Sequence, residues 1–230
     1  MNAELPDWLR PLLERVTQAR SEDFTRLPAP AEGGRPSAVL ILLGAGDPPD
    51  QAGGPAVPVR PAGPDVLILQ RAADLRNHAG QPAFPGGAVD PGDADPAATA
   101  LREAAEEVGL DPASVEVLAQ LPPLWIPVSG FLVTPVLAWW REPHPVAPMQ
   151  PVEVARVERV PVAELVEPAN RVWVRHPSGW VGPAFRVRSM LVWGFTAGVL
   201  SVLLDLAGWA LPWEDAPAVE LPIAGDRPVP

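Results

Sequence analysis

Glu103, Glu106 and Glu107 fall at i, i+3 and i+4 of a segment with helical signals, so their carboxylates share one helix face. They crowd the last two turns, where the helix dipole favours cations, at a cost of roughly a few tenths of a kcal/mol per pair. Arg102 is the only cation in the segment. A solvated acidic face is one reading of this pattern. The other is an oxygen-lined site for a hard divalent ion, Mg2+ or Mn2+, which would compensate for the crowding. Ions of that kind neutralise phosphoryl oxygens and activate water. Upstream, Arg71 and Arg76 flank His78 and a Gly80-Gln81 turn. Guanidinium groups pair with phosphate oxygens and stay charged, and surface ion pairing is the rival reading. His78 either donates to a phosphate or braces the loop. Gly86 and Gly87 either let the backbone approach the helix closely or make a tight turn. Glu153 is a water-activating carboxylate or a solvated loop acid, and Trp125 is a stacking platform or core.

These side chains need a scaffold. Residues 37–43 (SAVLILL) and 65–70 (DVLILQ) read as strands that pair antiparallel across a proline- and glycine-rich connection, 44–64. The stretch 71–89 is too specific in content for a linker and reads as an ordered functional loop. Residues 95–109 form the clearest helix, with Asp95 at the N-cap, Pro96 in the first turn and Gly109 just past the end. Ala98, Leu101, Ala105 and Val108 are its expected apolar stripe, opposite the glutamates. Strands follow at 115–118, 132–140 and 155–161, the last leading into a short helical piece, 162–166. Strands interleaved with two or three helices, without regular βαβ repeats, indicate an α/β sandwich with a mixed sheet.

The run from Gly87 through Asp93 to Arg102-Glu103-Ala104-Ala105-Glu106-Glu107-Val108-Gly109-Leu110 resembles the Nudix box. Two features depart from that motif: Asp93 stands where glutamate is usual, and the gap to Arg102 is one residue longer. The preceding stretch, 67–87 (LILQRAADLRNHAGQPAFPGG), is similar to the signature of coenzyme A pyrophosphatases, in which Arg, Leu-Arg, His, Gly-Gln and Phe-Pro-Gly-Gly recur at this spacing. Gln70, Ala72 and Pro82 differ from its usual residues. The similarity continues through 124–127, 131–135, 153–160 and 190–196. It implies an α/β/α sandwich around a mixed sheet and metal-dependent hydrolysis of the pyrophosphate bond of coenzyme A or a derivative. The products would be 3',5'-ADP and 4'-phosphopantetheine or its acyl form. By the same resemblance, Glu103, Glu106 and Glu107 with the Gly86 carbonyl are the metal ligands. Arg102 joins the catalytic set, Glu103 or Glu153 is the base, and Arg71, Arg76, His78 and Gln81 contact substrate. One rival is a Nudix hydrolase for ADP-ribose or a dinucleotide, which residues 71–81 argue against. The other is a catalytically silent Nudix-fold binding or regulatory protein, which the retained glutamates argue against.

Composition narrows the rest. The chain has no cysteine, which excludes thiolate metal sites and cysteine nucleophiles. Its formal charge of −11 opposes broad attraction to nucleic acid or an anionic membrane. The start, MNAELPDWLRPLLERV, lacks the pattern of a secretory signal and reads as a short amphipathic helix, so a cytoplasmic location is expected. Residues 189–204 are uncharged but short of the ~20 residues a membrane span needs, and read as a buried core helix. Whether that helix also supports a homodimer is open. The expected organisation is a helix and linker over 1–34, a Nudix hydrolase domain over 35–213 and a mobile tail over 214–230.

Overall fold

In the computed structural model, residues 5–30, 33–46, 63–75, 78–213 and 215–221 are described. Eight strands form the main sheet: β1 (Arg35–Gly44), β2 (Asp65–Arg71), β3 (Pro82–Ala83), β4 (Gly86–Ala88), β5 (Val115–Gln120), β6 (Leu124–Ile126), β7 (Phe131–Trp140) and β8 (Val154–Pro161). A second sheet holds β9 (Arg171–Arg175), β10 (Val181–Val187), β11 (Met190–Val192) and β12 (Ala218–Glu220). The helices are α1 (Arg10–Val16), α2 (Ser21–Phe24), α3 (Pro96–Val108), α4 (Val162–Val166) and α5 (Gly194–Ala207).

The main sheet is mixed because β1 and β7 run parallel from Arg35↔Phe131 to Leu43↔Trp139, while its other ladders are antiparallel. The expected antiparallel pairing of the first two strands is present at Leu43↔Val66 and Gly44↔Asp65. Alternation along each strand builds two cores. Leu40, Leu42, Leu67, Leu69, Val136 and Ala138 face α3, while Ile41, Leu43, Val66, Ile68, Leu137 and Trp139 face the layer of α1 and α5. An α/β/α sandwich results.

Helix α3 begins and ends where its caps dictate. Asp95 accepts from the Ala98 amide at 2.8 Å, and Gly109 takes the left-handed conformation at φ 71°. The expected stripe is displaced, however. Ala100, Ala104 and Val108 are buried and Leu101 partly so, whereas Ala98 and Ala105 do not belong to the core. Two alanines at the contact bring the helix axis close to the sheet. That proximity lets Glu103 and Glu107, which flank the buried face instead of opposing it, reach β4.

Two further differences concern the C-terminal third. The apolar run 189–204 is not one helix: it opens as β11, and α5 starts only at Gly194. A two-residue turn at Arg188 and Ser189, at φ 50° and 58°, folds β11 back on β10. Within the expected tail, Ala218–Glu220 pairs parallel with β9, and residues 222–230 lie outside those described. Arg171 ties this sheet to α5 by donating to the Ser201 hydroxyl at 2.8 Å beneath the rings of Phe185 and Trp213.

Candidate active site

The site forms where α3 lies against β4. Strand β4 pairs with β1 through Val39↔Gly86 and Ala38↔Gly87. The Gly86 amide turns away from that ladder and donates to Glu107 Oε2 at 3.0 Å. Both glycines are needed for this closeness. A Cβ at Gly86 would collide with the Ala38 carbonyl and the Val39 Cα, and one at Gly87 would collide with the Glu103 carboxylate.

Glu107 is buried at 3% exposure, and burial pushes its carboxyl up to about 7 against the lowering effect of the Gly86 amide, with Glu103 raising it further. Burial also raises Glu103, opposed by Arg102. Arg71 and Glu153 both act on Glu107 through their charges, Arg71 favouring its ionised form and Glu153 opposing it. These four residues therefore share one electrostatic site, although Arg71, Glu107 and Glu153 come from three separate elements. Glu106 is different: it is exposed, and its carboxylate stands 3.5 Å from Arg102.

Arg102 is held by Asp93. Its Nε donates to Oδ1 and its Nη2 to Oδ2, each at 3.0 Å. Oδ2 also accepts from the Asp90 amide and from the Thr99 hydroxyl, both at 2.9 Å. Arg102 holds the Asp93 carboxyl well below the usual carboxylate range, and Asp93 in turn raises the Arg102 guanidinium. With its oxygens so occupied, Asp93 is a brace. The shorter side chain and the longer gap still deliver a two-pronged contact. The remaining Arg102 nitrogen reaches Glu103 at 3.1 Å, and Nη2 reaches the Ala88 carbonyl at 3.1 Å. Buried Thr99 is the member of this set that sequence reasoning missed; only its place one turn into the helix after Asp93 pointed to it.

The loop after β2 is tied across the strand end. Arg71 N donates to the Gln81 carbonyl at 3.0 Å, Gln70 Nε2 to the Gly80 carbonyl at 3.0 Å, and Gly80 N to the Ala72 carbonyl at 3.2 Å. His78, at φ 55°, shares a 2.9 Å hydrogen bond between Nδ1 and Gln81 Oε1 and is exposed. Arg71 Nε is buried without a hydrogen-bond partner among the described residues. Arg76 lies outside the described residues. Glu153 is exposed just before β8, and its carbonyl accepts from the Ala72 amide at 2.7 Å. Trp125, on β6, is half-buried against Gly34.

The donor set suits a hard cation: the Glu103 and Glu107 carboxylates lie against the Gly86-Gly87 backbone, with Glu107 too buried to ionise easily by itself. Among the described residues, no three acidic or histidine side chains stand close enough to hold an ion together, and Arg102 pairs with Glu103 at 3.1 Å. The carboxylates of Glu103 and Glu107 and the adjacent glycine backbone nonetheless fit the role.

A mixed-sheet α/β/α sandwich with this acidic helix against a Gly-Gly strand is the architecture of a Nudix domain, and the NUDIX domain family matches residues 53–179. The chain belongs to the Nudix family. It is 45% identical over 152 residues to the protein of Citrobacter koseri described as an uncharacterized Nudix hydrolase NudL, covering 63% of this chain and 76% of that one. The NudL of Escherichia coli K12 is 39% identical over 158 residues, with the same coverage. Among solved structures, a Nudix hydrolase from M. smegmatis, RenU, has a TM-score of 0.46 at 21% identity, covering 78% of this chain and 89% of that one. The protein is a Nudix hydrolase acting on the pyrophosphate of a nucleoside diphosphate derivative, and hydrolases of this family generally use divalent cations. No helix among the described residues is long and apolar enough to cross a membrane.

Proposed function

We propose that this hydrolase is a cytoplasmic coenzyme A pyrophosphatase, working with Mg2+ or Mn2+ on coenzyme A or an acylated derivative. One observation carries the reading: Arg71, which opens the stretch resembling the coenzyme A signature, ends its strand within charge reach of Glu107 on the acidic helix. Arg71 lies on the strand face of Leu67 and Leu69, toward α3, and its charge acts on Glu107. Glu103 and Glu107, with Glu106 and the Gly86 carbonyl, would hold the ions, which supply charge neutralisation at the diphosphate and an activated water. For Glu103 to serve, Arg102 must release its carboxylate while keeping Asp93. Arg71, permanently charged and with an unused donor, takes a phosphate oxygen. His78 and Arg76, by their match to the coenzyme A signature, contact the 3'-phosphate, and Gln81 fixes the His78 ring. Glu153, exposed beside the strand end, accepts the proton of the attacking water, with Glu103 the other candidate. One water added across the anhydride gives 3',5'-ADP and 4'-phosphopantetheine.

The test is a side-by-side kcat/KM comparison of coenzyme A, dephospho-coenzyme A and ADP-ribose, repeated with Arg76→Ala and His78→Ala. A charge-assisted contact to the 3'-phosphate is expected to favour coenzyme A by about ten- to a hundredfold, and each variant should erode that preference. Equal values for coenzyme A and its dephospho form would remove the 3'-phosphate contact. A clear preference for ADP-ribose would remove the substrate assignment while leaving the family chemistry intact.

A further inference from the structure

Thr99 is fully buried one turn into α3, three residues before Arg102. Its hydroxyl has two acceptors in reach, Asp93 Oδ2 at 2.9 Å and the Asp95 carbonyl at 3.4 Å. A helix threonine often bonds the carbonyl four residues back, and that habit alone would give it no task beyond the fold. Here the Asp95 carbonyl already accepts the Thr99 amide at 3.2 Å, and the shorter contact of the hydroxyl is to the carboxylate. The Asp93 side chain is only 5% exposed, which leaves little room for water to replace a lost donor. Its Oδ2 partners do different work. The Asp90 amide belongs to the same loop as Asp93, and Arg102 is the side chain that Asp93 directs. Among the described residues, Thr99 is the donor that ties this carboxylate to α3 without being the group it directs. The need for such a tie follows from Arg102, whose Nη1 contacts Glu103 at 3.1 Å and Glu106 at 3.5 Å. One guanidinium is thus shared between the brace and the acids of the site. If Asp93 slackens, Arg102 leans further onto Glu103 and competes with a divalent ion for the same oxygens.

We propose that Thr99 is a positioning residue for the metal site. Its hydroxyl fixes the Asp93 carboxylate where Arg102 engages it, and so keeps Arg102 from occupying Glu103 when a divalent cation needs that carboxylate. The inference rests on Glu103 as a metal ligand and is independent of which diphosphate is the substrate.

The experiment is a calorimetric titration of Mn2+ into the full chain, without substrate. Thr99→Val keeps the shape and removes the hydroxyl, and should weaken Mn2+ binding about three- to tenfold. Thr99→Ser restores the hydroxyl and should bind within about twofold of wild type. In an Asp93→Ala background, Thr99→Val should cause no further loss, because the hydroxyl acts through that carboxylate. Wild-type affinity in Thr99→Val overturns the inference. So does a Thr99→Ser as weak as Thr99→Val, which would place the effect in the methyl packing, and so do losses that add in the double variant. Should Thr99→Val fold poorly, Thr99→Ala takes its place, since alanine suits a helix interior and also lacks the hydroxyl. A wild-type chain that binds no Mn2+ overturns the assignment of Glu103 and this inference with it, an outcome visible before any variant is made.

Discussion

Replacing Glu107 by glutamine should stabilise the metal-free protein at alkaline pH while crippling it as an enzyme. The Glu107 carboxyl is pushed from 4.5 to about 7 in the fold, chiefly by burial. At 1.36 kcal/mol per pH unit, ionising it in the native state costs about 3 kcal/mol more than in the unfolded chain. The sign follows from proton counts. Between pH 4.5 and 7 the folded chain holds a proton that the unfolded chain has released, so stability falls as pH rises through this window and is level above it. Glutamine has no such slope, and its carbonyl can still accept from the Gly86 amide. Relief of Glu103, also raised, adds in the same direction. Urea unfolding in EDTA should therefore show Glu107→Gln level with wild type near pH 4 and more stable by about 2–3 kcal/mol at pH 8. With saturating Mn2+ the order should reverse, and kcat should drop by about two orders of magnitude or more. A variant no more stable than wild type at pH 8 in EDTA would refute the claim that burial keeps this acid at a high pKa.

Asp93→Asn removes the charge that anchors Arg102, so calorimetric titration should give about tenfold weaker Mn2+ affinity, and unchanged affinity would show that the brace does not orient the ligands. Gly86→Ala places a Cβ against immobile β1 backbone and should cost about 1–3 kcal/mol or more in urea. Gly87→Ala meets only the Glu103 carboxylate, which can swing aside, so it should fold normally and lose activity; the opposite pattern would contradict the packing described. Arg71→Gln should raise KM for coenzyme A about ten- to a hundredfold with kcat retained, and an unaltered KM would remove Arg71 from the phosphate contacts.

Helix α3 was legible because Asp95, Pro96 and Gly109 mark its ends by local chemistry alone. Its buried face was not, for a physical reason. Alanines at 97, 98, 100, 104 and 105 give little hydropathy contrast, so two rotations fit the pattern equally well. The true one also buries Glu107, which no hydropathy rule would choose. The α/β class with a mixed sheet could be read from the interleaved strand and helix runs, and the Nudix resemblance implied the α/β/α layering, whereas the second sheet escaped notice: Arg171–Arg175 is flanked by arginines, one of them fully buried. The break between β11 and α5 was hidden for a similar reason. Arg188 and Ser189 occupy positive φ without the glycine or asparagine that would announce a tight turn. For the site, the sequence pointed to the residues around Glu107 but not to how Asp93 serves, since that depends on Thr99 and the Asp90 amide closing around one carboxylate.

Strand β4 carries the sequence Gly-Gly-Ala, with no side chain larger than a methyl group, and it is bonded to β1 on one side and to Glu107 on the other. It works as a splint between two stretches with different tasks. The loop before it carries the residues proposed to meet substrate, and the loop after it leads to Asp93 and Arg102. The splint is held by backbone, by Glu107 and by Arg102 at the Ala88 carbonyl, so the loop before it does not have to hold α3 in place and can change in composition separately. Substitutions in the loop before the splint can therefore change what it contacts while the acidic helix keeps its seat against β4.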